Sequence, residues 1–406
     1  MSGATRPKPV RNPYAPYDGA VAGSRAGPPS TSKGERASRQ PKTALKPPDA
    51  LLLGSVAFLV ALGLVMVFSS SSAIAYSYYH DTAFYLKRQV AYLIVGLVIA
   101  YAAYRIDYRK LRGLAPGLVA VTVILLVLTL IPHVGYATGG ARRWLGFRAI
   151  SFQPSELGKL AIVIFLAAKL SQLGEGVRSL SKGVAPALFV TLVLAAPVFV
   201  EPDMGTASLY LFTAFAMLFT AGARIEHLLM CTFVMLPAAA VAIGSSAYKR
   251  ARILAFLNPW KDPQNAGYHT VQSLLALGSG GIFGLGLGAS RQKYFYLPEA
   301  YTDYIFAVLG EELGLLGCIV VIALFVLFAI RAVTLALKAP DRFGMLLAMG
   351  CTFVIAIQAF VNIGVVTSSW PVTGVPLPFI SFGGTSLIVS LIAVALIANV
   401  GRHRTS

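Results

Sequence analysis

Apolar residues run in long unbroken stretches along this chain, and polar residues fall in the gaps between them. A membrane helix needs roughly 20 apolar residues in succession. Ten stretches approach that length, at about 50–72, 88–104, 114–132, 156–173, 184–200, 204–222, 228–246, 303–331, 344–366 and 384–400. The pattern predicts an all-α polytopic membrane protein of about ten transmembrane helices. A long polar segment, about 247–302, separates the seventh and eighth stretches and is expected as a large extracytoplasmic loop. The short-period alternation of an outer-membrane barrel is not the pattern here.

The flanks orient this threading. Residues 1–48 are rich in Pro, Gly, Ser, Ala, Lys and Arg without apolar periodicity, which predicts a disordered basic tail. No apolar core follows its first charges closely, so it does not read as a signal peptide. Its cations, Arg6 to Lys46, place it in the cytoplasm, solvated or touching anionic lipid or a partner. An even number of spans puts both termini inside, and the C-terminal GRHRTS is basic as well. The expected organisation is therefore a tail at 1–48, a membrane domain at 49–401 and a cytoplasmic end at 402–406. Trp144, Trp260 and Trp370 all fall in outer segments, where indole favours the headgroup interface.

Composition agrees: 56% of residues are hydrophobic and 12% charged, about half the charged fraction of a soluble chain. Cys231, Cys318 and Cys351 lie inside apolar stretches and read as packing residues, with no disulfide or metal spacing. The net charge of +18 matters through its placement. Most cations fall inside. Arg142, Arg143 and Arg148, and then Lys249, Arg250, Arg252, Lys261, Arg291 and Lys293, fall outside. Orientation does not ask for cations there. Phosphate binding does, because Arg forks onto phosphate oxygens and Lys supplies a point charge. Attraction to outer-leaflet headgroups is the alternative.

Ionisable residues gather at that same face. Asp303 sits in LPEAYTDYIF, at the mouth of the eighth stretch, where an acid is costly unless wet or paired. Pro154 suits a helix start, with Glu156 in the first turn and Lys159 three residues on, sharing a face. That pair either bonds to itself or faces a polar cavity. Glu201 and Asp203 flank a proline in the tight EPDMGT turn. Residues 278–290, GSGGIFGLGLGAS, follow no strand and read as a loop or re-entrant turn where backbones approach closely. PVTGVPLPFISFGG, before the last span, carries Pro371, Pro376 and Pro378 and is expected to wall the same outer pocket.

Together these stretches resemble the SEDS family (shape, elongation, division and sporulation). The resemblance rests on RRWLGF with SFQPSELGKL, EPDMGTA, the run from RARILAFLNPWKDP to YTDYIFAVLGEELG, and GVPLPFISFGGTS, and covers about 50–400. NPWKDP and SRQKYFYLPEA are nearer the FtsW and sporulation branch than the RodA branch, whereas PVTG is nearer the RodA or sporulation form. The resemblance implies a polymerase of peptidoglycan glycan strands in the cytoplasmic membrane. Its substrate would be lipid II, with undecaprenyl pyrophosphate released from the growing lipid-linked glycan. It further implies a class B penicillin-binding protein and other divisome membrane proteins as partners, a place at the division septum, and no nucleic acid.

By the same resemblance the essential acid falls on Asp303, and the paired Glu and Lys of the cavity on Glu156 and Lys159. Arg142, Arg143, Arg252, Gln272 and Ser381 complete the expected substrate or pyrophosphate site. Two positions depart from the family pattern: Tyr301 stands where His is usual and His269 where Gln is common. The chemistry expected is a single inverting displacement, with Asp303 as base for an acceptor hydroxyl and cations at the leaving pyrophosphate. A divalent cation, Mg or Mn, with Asp303 as a ligand, is a second way to balance that charge; no other cofactor is expected. Glu311 and Glu312 read as structural partners deeper in the bundle. The rival readings are a lipid II flippase or other transporter, and a division scaffold without catalysis.

Overall fold

The computed structural model describes residues 46–404, leaving out 139–140, 148–149 and 245–246. Residues 1–45 of the expected tail, and Arg148, lie outside the described residues. Among the described residues twelve α-helices follow in order: α1 Ala50–Tyr79, α2 Phe84–Arg105, α3 Leu111–Leu130, α4 Pro154–Leu173, α5 Ala185–Val200, α6 Met204–Thr220, α7 Ile225–Gly244, α8 Ala247–Leu257, α9 Tyr268–Gly280, α10 Ile305–Leu337, α11 Arg342–Val366 and α12 Gly384–Arg402. Each of the ten apolar stretches falls mainly on one of these helices among the described residues. Eight of the described helical segments are long and apolar enough to cross a membrane, and Met204–Thr220 and Ile225–Pro237 are shorter apolar helices.

Helix starts follow local chemistry. The Asp49 carboxylate accepts the Leu52 N–H at 2.9 Å and caps α1. It also pairs with Arg331 of α10 at 2.5 Å, tying the two helices together. Asp203 caps α6 through the Thr206 N–H, and Asp341 caps α11 through the Gly344 N–H. α12 is the most enclosed element, with 89% of its apolar window buried against 17% for α2. The core therefore centres on α12, α11 and α4, and α2 presents most of its surface outward.

Two features were not expected from the apolar pattern. Residues 136–152 form a small antiparallel sheet, β1 Tyr136–Thr138, β2 Ala141–Phe147 and β3 Ile150–Phe152, in place of a plain loop. The segment 247–302 is partly helical, containing α8 and α9.

The glycine-rich stretch forms the close backbone approach expected of it. α10 is broken at Gly314, whose φ of 67° and ψ of −168° interrupt the helix. The groups released by the break are taken up by the glycine segment. Leu285 and Gly286 donate to the carbonyls of Glu311 and Glu312 at 3.0 Å each, and Leu315 and Leu316 donate to those of Gly281 and Ile282. Non-helical backbone at membrane depth persists only with such internal satisfaction. A Cβ on Gly314 would lie 2.4 Å from both the Gly284 nitrogen and the Ile282 oxygen.

Candidate active site

Asp303 lies in the turn that opens α10 and is half-buried. Its main chain is held from across the bundle. The carbonyls of Tyr301, Thr302 and Asp303 accept, in order, the Phe382 N–H at 2.9 Å, the Ser381 hydroxyl at 2.6 Å and the Asn362 amide at 2.8 Å. A Cβ on Gly374 would stand 3.4 Å from Asp303 Oδ2, so the PVTG segment lies against the carboxylate. Burial pushes the Asp303 carboxyl up to about 7, helped by the carboxylates of Glu299 and Asp203 and opposed by Arg143 and Arg252.

Those neighbours come from separate elements. Arg143, on β2, donates to the carbonyls of Glu201 and Pro202 at 3.1 and 2.7 Å, which moors the sheet to the α5–α6 turn. Glu201 is buried, accepts the Thr129 hydroxyl, and is pushed up to about 7 by burial. Asp203 is 3% exposed and bonded to both Thr206 donors and to Gln153. Arg252 reaches from α8 to the Val372 carbonyl at 3.5 Å.

The Glu156–Lys159 pair is enclosed, each residue 3% exposed, with Nζ 2.7 Å from Oε1. Lys159 also donates to Gln358 Oε1 at 2.7 Å, and Gln358 donates onward to the Pro376 carbonyl. The pair thus joins α4 to α11 and to the same proline-rich wall. Glu156 Oε2 and Ser155 Oγ are buried without a protein partner, as are Asn362 Oδ1, Thr373 Oγ1 and Tyr304 Oη. Unsatisfied buried groups are rare and mark strain or function.

The remaining expected residues divide. Ser381 is 5% exposed; its hydroxyl donates to Thr302 and accepts the Leu377 N–H. Gln272 lies half-buried on α9, and Arg142 is exposed on β2. Lys293 was grouped with the phosphate-facing cations, but it is 4% exposed, 3.7 Å from Glu312 and bonded to the Gly288 carbonyl. Its charge belongs to the broken-helix network. Tyr301 donates to the Tyr85 hydroxyl at 3.4 Å and packs its ring with Tyr85 and Phe382. His269 stacks on Tyr304, and burial lowers its pKa. Sequence reasoning missed Asn362, Gln358 and Thr373. For Gln358 and Asn362, both on α11, the available signal was an amide inside an apolar helix, since burying one is costly unless it is bonded.

Among the described residues no three His, Cys, Asp or Glu side chains are grouped to hold a metal ion. The cations whose charge acts on Asp303 are Arg143 and Arg252.

The FtsW/RodA/SpoVE family, described as cell cycle protein, matches residues 49–406. The chain belongs to that family. It is 45% identical over 352 residues to the probable peptidoglycan glycosyltransferase FtsW of Geobacter metallireducens, spanning 87% of this chain and 94% of that one. Against the stage V sporulation protein E of Bacillus subtilis it is 42% identical over 356 residues, spanning 88% and 97%. The fold is similar to a solved structure described as "Structural coordination of polymerization and crosslinking by a peptidoglycan synthase complex". There the TM-score is 0.73 at 31% identity, covering 87% of this chain and 98% of that one. It is also similar to Thermus thermophilus rod shape determining protein RodA, with a TM-score of 0.65 at 30% identity, covering 88% and 98%. These relatives support the FtsW branch of a multi-pass helical membrane family.

Proposed function

We propose that this protein polymerises peptidoglycan glycan strands from lipid II, transferring glycosyl units with release of undecaprenyl pyrophosphate. The observation that carries this reading is the placement of Asp303: a half-buried carboxylate at the mouth of α10, its turn held by Asn362, Ser381 and Phe382 and the PVTG segment lying against it, with its carboxyl raised by burial and the charges of Arg143 and Arg252 acting on it. A base works best with a pKa near the operating pH. Asp303 takes the proton of the acceptor sugar hydroxyl as that oxygen attacks the anomeric carbon of the donor. The bond from that carbon to the pyrophosphate oxygen breaks, and configuration inverts. Arg143 and Arg252 offset the charge growing on the leaving pyrophosphate. Glu156, Lys159 and Gln358 brace the proline-rich segment that lies against Asp303.

The relatives' names and the polymerising and crosslinking complex support the same assignment. They also support a class B penicillin-binding transpeptidase as partner. The proposed setting is septal wall synthesis, in the cytoplasmic membrane with both termini inside. The test is polymer formation by purified protein on lipid II. Wild type should make glycan strands, and Asp303→Asn should make none while still inserting in membranes. Retained polymerisation by Asp303→Asn would sink the assignment.

A further inference from the structure

The Asp303 turn is held through its backbone. Three consecutive carbonyls, at 301, 302 and 303, each receive a donor from a different point between residues 362 and 382. Two of those donors are buried side chains, Asn362 at 1% exposure and Ser381 at 5%. Each bridges two main-chain sites. Asn362 Nδ2 donates at 2.8 Å to the Asp303 carbonyl and at 2.8 Å to that of Val375, the residue after Gly374. Ser381 Oγ joins the Thr302 carbonyl to the Leu377 N–H. One amide therefore ties the backbone of Asp303 to the segment that lies against its carboxylate.

We infer that Asn362 and Ser381 are positioning residues, which fix the Asp303 carboxylate against the PVTG wall at the geometry glycosyl transfer needs. The inference rests on the proposed polymerase activity for its kinetic consequence only. Both side chains act on main-chain atoms: Asn362 on the Asp303 and Val375 carbonyls, and Ser381, which the sequence placed in the substrate site, on the Thr302 carbonyl and the Leu377 N–H. Their effect runs through the placement of one carboxylate, where an error of about 1 Å costs on the order of 100-fold in rate. A loosened turn also admits water to a group that burial now raises.

Two readouts test this, using the full-length protein. The first does not depend on activity: infrared titration of the Asp303 carboxyl, assigned by its loss in Asp303→Asn. Asn362→Leu and Ser381→Ala should each lower that midpoint by about one pH unit as desolvation weakens, and Ser381→Thr, which keeps the hydroxyl, should leave it in place. An unchanged midpoint in both Asn362→Leu and Ser381→Ala overturns the inference. The second is steady-state polymerisation. Asn362→Leu and Ser381→Ala should lose about 10- to 100-fold in kcat with KM within about threefold, and Ser381→Thr should stay near wild type. An unaltered kcat, or Ser381→Thr as slow as Ser381→Ala, overturns it. If Asn362→Leu does not fold, the two Ser381 variants decide the question. If wild type makes no polymer, the proposed function fails and the infrared midpoint still decides the clamp.

Discussion

Asp303 ties rate and stability to pH in opposite directions. A general base acts only when ionised. With its pKa near 7 in the unliganded protein, roughly one Asp303 in eleven is ionised at pH 6 and about ten in eleven at pH 8, so kcat/KM on lipid II should rise about 10-fold between them. An aspartate left at its ordinary 3.8 would be ionised throughout that range and give a flat profile. For stability the sign reverses. A carboxyl raised by folding favours the folded state while protonated; that contribution is complete below 3.8 and is lost as pH climbs through about 7. The full span corresponds to ~4 kcal/mol, and the partial exposure of Asp303 reduces it to ~2 kcal/mol. Asp303→Asn, which cannot ionise, should therefore be ~2 kcal/mol more stable than wild type at pH 8, and no more stable near pH 3.5. Initial rates on fluorescent lipid II held well below KM, from pH 5.5 to 8.5, with unfolding curves in one detergent, measure both. A flat rate between pH 6 and 8, or a stability gap that does not grow with pH, would refute the reasoning.

The neighbours of Asp303 should move its midpoint in opposite senses. Removing the cation in Arg143→Gln should shift the acid limb upward by several tenths of a pH unit, and removing the anion in Glu299→Gln should shift it downward; shifts of the same sign would contradict the geometry. Breaking the enclosed pair by Glu156→Gln or Lys159→Met alone should cost about 3–5 kcal/mol in unfolding experiments, and the double substitution much less than their sum. Gly314→Ala should abolish recovery of folded protein by size-exclusion chromatography, because its Cβ meets backbone at 2.4 Å. Gly54→Ala, with open space around it, should be recovered like wild type.

The helices were legible because bilayer thickness imposes a length on apolar stretches that survives any tertiary detail. Asp303 was legible because an acid at the mouth of such a stretch is costly without a reason. The pairing of Glu156 with Lys159 could be read from their spacing, since residues three apart share a helix face. Gln358, the second partner of Lys159, lies 199 residues away, and no local window contains both. The break in α10 was hidden for the same reason. GEELGLLG looks helical until the segment 281–286 arrives to accept and donate across Gly314. The sheet at 136–152 was missed because two of its strands are three residues long, too short for alternation to register. Lys293 was misplaced because charge placement along the chain says nothing about which cations turn inward.

The corrected role of Lys293 shows how the site is held from both sides. Ser290, Arg291 and Gln292 donate to Glu311, and Ser69 of α1 donates to both oxygens of Glu312. Lys293 sits beside the same carboxylate. These bonds fasten the start of segment 290–304 to the break in α10, while Asn362, Ser381 and Phe382 fasten its end. Between the two anchors the chain buries Leu297 and Ala300 and leaves an exposed run at Tyr294, Phe295 and Tyr296. Asp303 therefore takes its geometry from α1, α10, α11 and the approach to α12 together. A carboxylate fixed by so many distant elements responds to changes far from the chemistry. It follows that substitutions at Ser69 or Glu312, whose bonds run to each other and to the 290–293 segment, should lower kcat more than they raise KM.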